Sequence, residues 1–157
     1  MQVVKSFTDN IEKFLCVVLL AFITAIMTIN ILMLIIADSA LAWASEAVLT
    51  LFVFFVWVGI SYGFKERKHI RVTALVDILP TKAQKILELF VNLLILAFFA
   101  IILVVGFQWM SHPSVVTETS LLLRYPMWLL YLAAPLGALL SVIRITQNFI
   151  QDMKTVK

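Results

Sequence analysis

The chain has 157 residues, of which 63% are hydrophobic and only 13% are charged. Soluble domains are closer to half apolar and a quarter charged, so this composition excludes an ordinary soluble fold. The net charge of +3 is small, and the single cysteine, Cys16, excludes an intramolecular disulfide and a cysteine-rich metal site.

Four long apolar runs predict an all-α membrane protein, a single four-helix transmembrane domain that covers residues 1–157. Each run has about the length that a helix needs to cross the ~30 Å hydrocarbon core of a bilayer. The first run is too long for the apolar part of a signal peptide, so we interpret it as a retained helix. The predicted spans cover about residues 14–37, 43–64, 86–110 and 126–146.

The first span contains no charged residue and is followed by Asp38, which predicts a short turn. The second span opens with Trp43 and Glu46. Trp43 is typical of the aromatic belt at a membrane interface. Glu46 lies near the N-terminus of its helix, where the helix dipole favours a negative charge. The alternative is that Glu46 contacts another helix or a partner subunit, since a charge inside a membrane is rarely left alone.

Two glycines, Gly59 and Gly63, lie one helical turn apart in the second half of this span. Small residues at this spacing let two membrane helices approach closely, so they predict a helix crossing. The alternative is that they only make the helix flexible.

A basic segment follows the second span, and residues 70–80 then repeat apolar side chains at the spacing of an amphipathic helix. We interpret this segment as a short helix that lies in the membrane interface and ends near Pro80. Its basic flank predicts contact with anionic phospholipids rather than with nucleic acid, because no folded domain presents it. The basic residues are Arg67, Lys68, His69 and Arg71.

The third span leads into a polar stretch that contains Glu118, and Arg124 precedes the fourth span. Pro126 suits the first turn of a helix, while Pro135 lies inside the fourth run and predicts a bend there. Trp128 and Tyr131 are further candidates for the interfacial belt.

The orientation follows from the basic residues, because every Lys and Arg except Arg124 lies on one side of the four predicted spans. The positive-inside rule places both termini and the basic segment in the cytoplasm. The opposite face carries Asp38, Glu46 and Glu118 and is therefore net acidic. We expect this face to contact a partner protein; the alternative is that these acids are simply solvated.

The chain lacks the residues that membrane enzymes and autonomous transporters use at depth. His69 and His112 are predicted in loops on opposite sides of the membrane, so they cannot form a haem-binding pair, and no catalytic, cofactor or metal site is predicted. Two alternatives to a partner subunit stay open. One is a stand-alone small four-helix transporter or exporter, for which Glu46 is the candidate charge. The other is a small membrane enzyme or redox subunit.

A set of short motifs occurs in order along the chain. The motifs are Trp43-x-x-Glu46, Gly59 and Gly63, His69-Ile-x-Val72, Leu79-Pro80, and Thr119, Pro126, Trp128, Tyr131 and Pro135-x-Gly137. In these motifs and over nearly its whole length, the chain resembles the small membrane subunits, of the DctQ type, of tripartite ATP-independent periplasmic (TRAP) transporters. Many relatives carry a second acid beside the position of Glu46, where this chain has Ser45 and Ala47.

The resemblance, which looks closest to the sialic acid branch, implies a scaffold role in a bacterial inner membrane. Such proteins pair with a large multi-helix membrane subunit that holds the substrate and sodium sites. A soluble periplasmic binding protein delivers an organic anion, such as a C4-dicarboxylate or sialic acid. No cofactor is implied.

Overall fold

The structure is a computed structural model that describes residues 2–65 and 81–155, with side chains over residues 11–64 and most of 83–149. Within these ranges the chain forms six helices and no strand, which confirms the all-α prediction. The helices are α1 (Gln2–Ala37), α2 (Ala42–Lys65), α3 (Thr81–Met110), α4 (Pro113–Thr117), α5 (Trp128–Tyr131) and α6 (Ala133–Thr155).

Four segments of the described chain are long and apolar enough to cross a membrane, as predicted, and the fourth combines α5 and α6. The first candidate span begins earlier than the sequence predicts, because α1 continues without a break through the charged residues before the apolar run. The spans are Ile11–Ala37, Ala42–Phe64, Leu89–Met110 and Trp128–Phe149.

The long helices contact one another in the order α1, α2, α6 and α3. Over the described ranges, α6 therefore lies between α2 and α3, and α1 packs mainly on α2. The first helix is the most exposed of the four spans and the last is the most buried. Among the described residues, this order leaves wide apolar surfaces on α1 and α3 uncovered.

Two glycines set the close approaches in this arrangement. A β carbon at Gly137 would lie 2.5 Å from the β carbon of Trp57, so only a glycine lets α6 approach α2 at this point. A β carbon at Gly106 would lie 3.1 Å from Pro135 Cδ, which brings α3 close to the start of α6.

A small apolar core lies where α2, α3 and α6 meet. Phe64 and Phe99 stack edge to face with their ring centroids 5.3 Å apart, and Ala138 and Ile145 complete the buried set. Aromatic pairs with this geometry are stabilised beyond the area that they bury. The core therefore joins α2, α3 and α6, and no described residue of α1 belongs to it.

The fourth predicted span is not one continuous helix. The chain is interrupted at Leu132, between α5 and α6, and Pro135 explains the break because it has no N–H to donate to the carbonyl oxygen of Tyr131. Pro126 lies before the helix rather than in its first turn, where it pairs with Thr119 in an isolated β-bridge. The predicted start at residue 126 is thus two residues early.

Several predictions fall outside the described residues. The interfacial helix over residues 70–80 lies there, and so do the basic residues before it. Those residues are Arg67, Lys68, His69 and Arg71.

Candidate functional site: polar clusters at the two ends of the helices

A buried cluster with an ion pair joins three helices toward the end of the molecule where α1 begins and α6 ends. Glu12 on α1 accepts a hydrogen bond at Oε1 from Arg144 Nε of α6 at 3.0 Å, and a longer one from Ser61 Oγ of α2 at 3.3 Å. Glu12 is only 5% exposed and Ser61 is fully buried. The second oxygen, Glu12 Oε2, is buried and accepts no hydrogen bond.

This cluster, which we call the inner clasp (Glu12, Ser61 and Arg144), gives α1 a polar attachment to the rest of the molecule. A charge-assisted N–H···O bond is about twice as strong as a neutral one. Removing one member of a buried ion pair leaves the other charge uncompensated, which costs about 3–5 kcal/mol in typical proteins. The clasp therefore adds a polar contact with α2 and α6 to the packing of α1 on α2.

A second contact at this end joins α6 to the end of α2. Asn148 Nδ2 donates a hydrogen bond to the carbonyl oxygen of Phe64 at 2.8 Å. The last carbonyl groups of a helix have no partner within the helix, so a side-chain donor there stabilises the helix end.

At the opposite end, Glu46 binds the backbone of the segment that precedes α5. Its Oε1 accepts the N–H of Leu121 at 3.2 Å, and its Oε2 accepts the N–H groups of Leu122 and Leu123 at 3.0 and 2.9 Å. Three backbone donors on one carboxylate form a small anion-binding nest. Glu46 thus contacts its own chain far along the sequence rather than only the start of its own helix.

The same segment is tied to α2 one helical turn further along. The hydroxyl groups of Thr50 and Tyr125 lie 2.6 Å apart in a hydrogen bond. A tight turn closes the segment, since the N–H of Ser120 donates to the carbonyl oxygen of Tyr125 at 2.9 Å and Arg124 adopts a left-handed φ of 51°.

A side chain of α1 holds the turn between α1 and α2. Asn30 Oδ1 accepts the N–H of Leu41 at 2.7 Å, and Asp38 adopts a left-handed φ of 50° within this turn. Asparagine and aspartate are the residues that tolerate such turns best after glycine.

The predicted partner-contact residues at this end are scattered rather than gathered. Trp43, Asp38, Glu118 and Arg124 are all exposed, and only Glu46 belongs to the cluster around residues 121–123. Their predicted contacts with a partner stay predictions.

Among the described residues, no helix crosses closely at Gly59, where the sequence predicts a crossing together with Gly63. A β carbon at Gly59 would have no described atom within 4 Å. The close crossing lies instead at Gly137, because the backbone of α6 meets the side chain of Trp57 there.

The inner clasp was missed by the sequence analysis. A weak signal for it exists, since Glu12 and Arg144 carry opposite charges at the predicted cytoplasmic ends of the first and last spans. The positive-inside rule considers only Lys and Arg, so Arg144 entered the predicted topology and Glu12 did not.

No arrangement for metal binding is found in the described part of the chain. No group of three or more His, Cys, Asp or Glu side chains lies close enough there to hold a metal ion. His112 packs near Trp109, with ring centroids 6.0 Å apart, and Cys16 is a half-buried free thiol in α1.

Comparisons with known proteins match the chain to the small permease proteins of one transporter family. It is 33% identical, over 71% of its length, to the C4-dicarboxylate TRAP transporter small permease protein DctQ of Vibrio cholerae, covering 48% of that protein. A DctQ protein of Rhodobacter capsulatus is 32% identical over 68% of the chain and 47% of its own length. The chain thus spans about half the length of these two relatives.

A third relative is matched along almost its whole length. The sialic acid TRAP transporter small permease protein SiaQ of Vibrio cholerae is 26% identical over 98% of the chain and 88% of its own length. The family model described as the DctQ component of tripartite ATP-independent periplasmic transporters matches residues 23–155. The chain therefore belongs to the DctQ family of TRAP transporter components, which confirms the resemblance seen in its sequence.

Proposed function

We propose that this protein is the small membrane scaffold subunit of a TRAP secondary transporter. In this role it supports a large multi-helix membrane subunit that takes up an organic anion together with sodium. A periplasmic binding protein delivers the anion to that subunit. The family membership supports the role, and so do the wide apolar surfaces of α1 and α3, which no other part of the described chain covers.

The observation that carries the proposal is that the charged groups Glu12, Arg144 and Glu46, which lie inside the candidate spans, bind other groups of this chain. Glu12 and Arg144 bind each other, and Glu46 binds three backbone N–H groups. An autonomous transporter needs an ionisable group that faces a solute pathway. Here the acids within the candidate spans serve helix and loop contacts, which favours the scaffold over a stand-alone transporter or exporter.

The substrate class is proposed from the names of the relatives. Two are named for C4-dicarboxylates and one for sialic acid. Both kinds of molecule are organic anions with a carboxylate. We therefore propose a carboxylate-bearing anion as the substrate of the complete transporter, recognised by its other subunits.

The proposed location is the bacterial inner membrane, with both termini in the cytoplasm. Contacts between Glu12, Ser61 and Arg144 place the starts of α1 and the ends of α2 and α6 at one end of the molecule. The basic segment before residue 72 follows α2 at that end, so the positive-inside rule supports a cytoplasmic location for it. Anionic phospholipids are the proposed partners of this segment.

Reconstitution tests the proposal. The full chain, alone in proteoliposomes with a sodium gradient, should take up no labelled C4-dicarboxylate or sialic acid. Proteoliposomes that also contain the large membrane subunit, with the binding protein added outside, should take up one of these anions. Sodium-dependent uptake by this chain alone would contradict the scaffold role and support the stand-alone alternative.

A further inference from the structure

The segment Leu121–Leu122–Leu123, here called the leucine loop, combines an anchored backbone with exposed apolar side chains. Its three N–H groups bind the Glu46 carboxylate at 2.9–3.2 Å. Its side chains face away from protein, since Leu121 is 92% exposed and Leu122 and Leu123 are 53% and 42% exposed. Three consecutive exposed leucines on a fixed backbone are unfavourable in water.

The conformation of the leucine loop is fixed from both sides. The N–H of Met127 donates to the carbonyl oxygen of Glu118 at 3.0 Å, which closes the turn around the loop. The Thr50–Tyr125 hydrogen bond then ties the far side of that turn to α2. Glu46 and Thr50 lie one helical turn apart, so the loop lies along the side of α2 rather than beyond its end.

The position of Glu46 and Thr50 in α2 gives the depth of the loop. The second candidate span runs from Ala42 to Phe64. At a helix rise of 1.5 Å per residue, Glu46 and Thr50 lie about 6 Å and about 12 Å beyond the start of that span. The loop therefore folds back to the level of the first turns of the span.

We propose that the leucine loop inserts into the lipid of the membrane leaflet at this end of the molecule. Backbone N–H groups can enter that region only when they are satisfied by the protein, and Glu46 satisfies all three. Trp43 and Trp128, which are also exposed at this end, are of the residue type enriched at membrane interfaces. Glu46 acts as a positioning residue, because it holds the loop at depth and does not itself bind a ligand.

Spin labelling of the full chain tests this assignment. The label is attached at Leu121→Cys in a Cys16→Ser background, and the protein is reconstituted into phosphatidylethanolamine–phosphatidylglycerol vesicles. Collision rates are measured with oxygen, which concentrates in lipid, and with a water-soluble nickel chelate. We expect the ratio of oxygen to nickel collisions to exceed that of the free label several-fold, approaching that of a label at Phe98→Cys, an exposed position in the middle of α3.

Two results would overturn the proposal. A label at Leu121 that collides with nickel as freely as the label in solution shows a loop in water. A label protected from both reagents shows a loop packed against protein, such as a second copy of this chain. Neither result depends on the transport function.

A second pair of variants tests the role of Glu46. Glu46→Leu in the Leu121→Cys background removes all three acceptor contacts, and we expect the nickel collision rate to rise at least about twofold. The matched control is Thr117→Val, which removes only the hydroxyl bond back to the carbonyl oxygen of Pro113 and should leave the nickel rate nearly unchanged. An unchanged rate in the Glu46 variant would exclude the positioning role.

Discussion

Individual residues in this protein act mainly through contacts between distant parts of the chain. Gly137 has an ordinary helical sequence context, and its importance arises only because Trp57 packs against its backbone. Gly59, by contrast, was predicted at a helix crossing and has open space around it. The close contact therefore requires a glycine at position 137, whereas position 59 has room for a larger side chain.

We expect Gly137→Ala to destabilise the protein by about 1–3 kcal/mol, the usual cost of forcing extra volume into a packed site. The matched variant Gly59→Ala should be neutral or more stable by up to about 1 kcal/mol, because alanine favours the helix and meets no atom within 4 Å. Thermal unfolding in detergent measures both. Equal losses in the two variants would contradict the packing.

The inner clasp gives a second prediction. Arg144→Leu leaves the buried Glu12 carboxylate without its cation and should cost about 3–5 kcal/mol of stability. The double variant Glu12→Leu with Arg144→Leu removes both charges and should recover most of that loss. A double-mutant cycle on thermal stability measures the coupling between the two residues. Additive losses would show that the pair is not coupled.

The helices differ in how they are held. The last long helix, α6, packs between α2 and α3 and shares the buried core with both, whereas α1 depends on α2 and on the inner clasp. The break before α6 follows from the missing N–H of Pro135, and the close approach of α3 to this proline follows from Gly106. Local chemistry thus sets where helices end, and contacts set how they pack.

Asn148 links two helices through a single hydrogen bond to the carbonyl oxygen of Phe64. Asn148→Leu removes this bond, and we expect a loss of about 1–3 kcal/mol because the carbonyl loses a donor in a partly buried site. The control is Thr146→Val on the same helix, whose hydroxyl only bonds back to the carbonyl oxygen of Val142. Hydrogen exchange at the end of α2 should rise in the Asn148 variant alone; equal exchange in both would refute the linkage.

The whole molecule combines polar attachments near its two ends with largely apolar surfaces between them. This arrangement suits a protein whose neighbours are lipid and other apolar helices, since helix contacts in lipid depend on packing and on a few interhelical hydrogen bonds. It agrees with membership of the DctQ family. The orientation in the membrane stays a prediction from the basic residues, of which Arg67, Lys68 and Arg71 lie outside the described residues, so it is tested separately.

Reversing the charge of the basic segment should disturb the orientation. We expect Arg67→Glu, Lys68→Glu and Arg71→Glu together to lower insertion or to invert part of the topology, because basic residues resist translocation. Single cysteines at the termini, in a Cys16→Ser background, report the orientation by labelling with an impermeant maleimide. An unchanged labelling pattern would refute the prediction.

The acidic residues at the opposite end give a prediction about a partner. Asp38→Lys with Glu118→Lys should reduce uptake by the complete transporter severalfold if these exposed acids help to dock the binding protein. The contribution of the wild-type acids to uptake should fall as the salt concentration rises, since salt screens the interaction between surface charges. The control is Lys13→Glu, which reverses an exposed charge at the opposite end of the molecule. Unchanged uptake in the double variant would leave the acids as solvated surface groups.

Much about this protein can be read from its residues in order. A bilayer has a fixed apolar thickness, so run length alone predicts four spans, and the excess of apolar residues predicts the all-α membrane class. The family resemblance is likewise carried by short motifs along the chain. These features depend on local composition and need no knowledge of which helices meet.

Only the folded molecule decides which side chains meet across the chain. Glu12 and Arg144 are 132 residues apart, and Glu46 is 75 residues from the first N–H group that it binds. Apolar helices look alike around their whole circumference, so the sequence does not indicate which faces pack together. The order of the helices, the inner clasp and the position of the leucine loop beside α2 therefore follow from packing and not from local pattern.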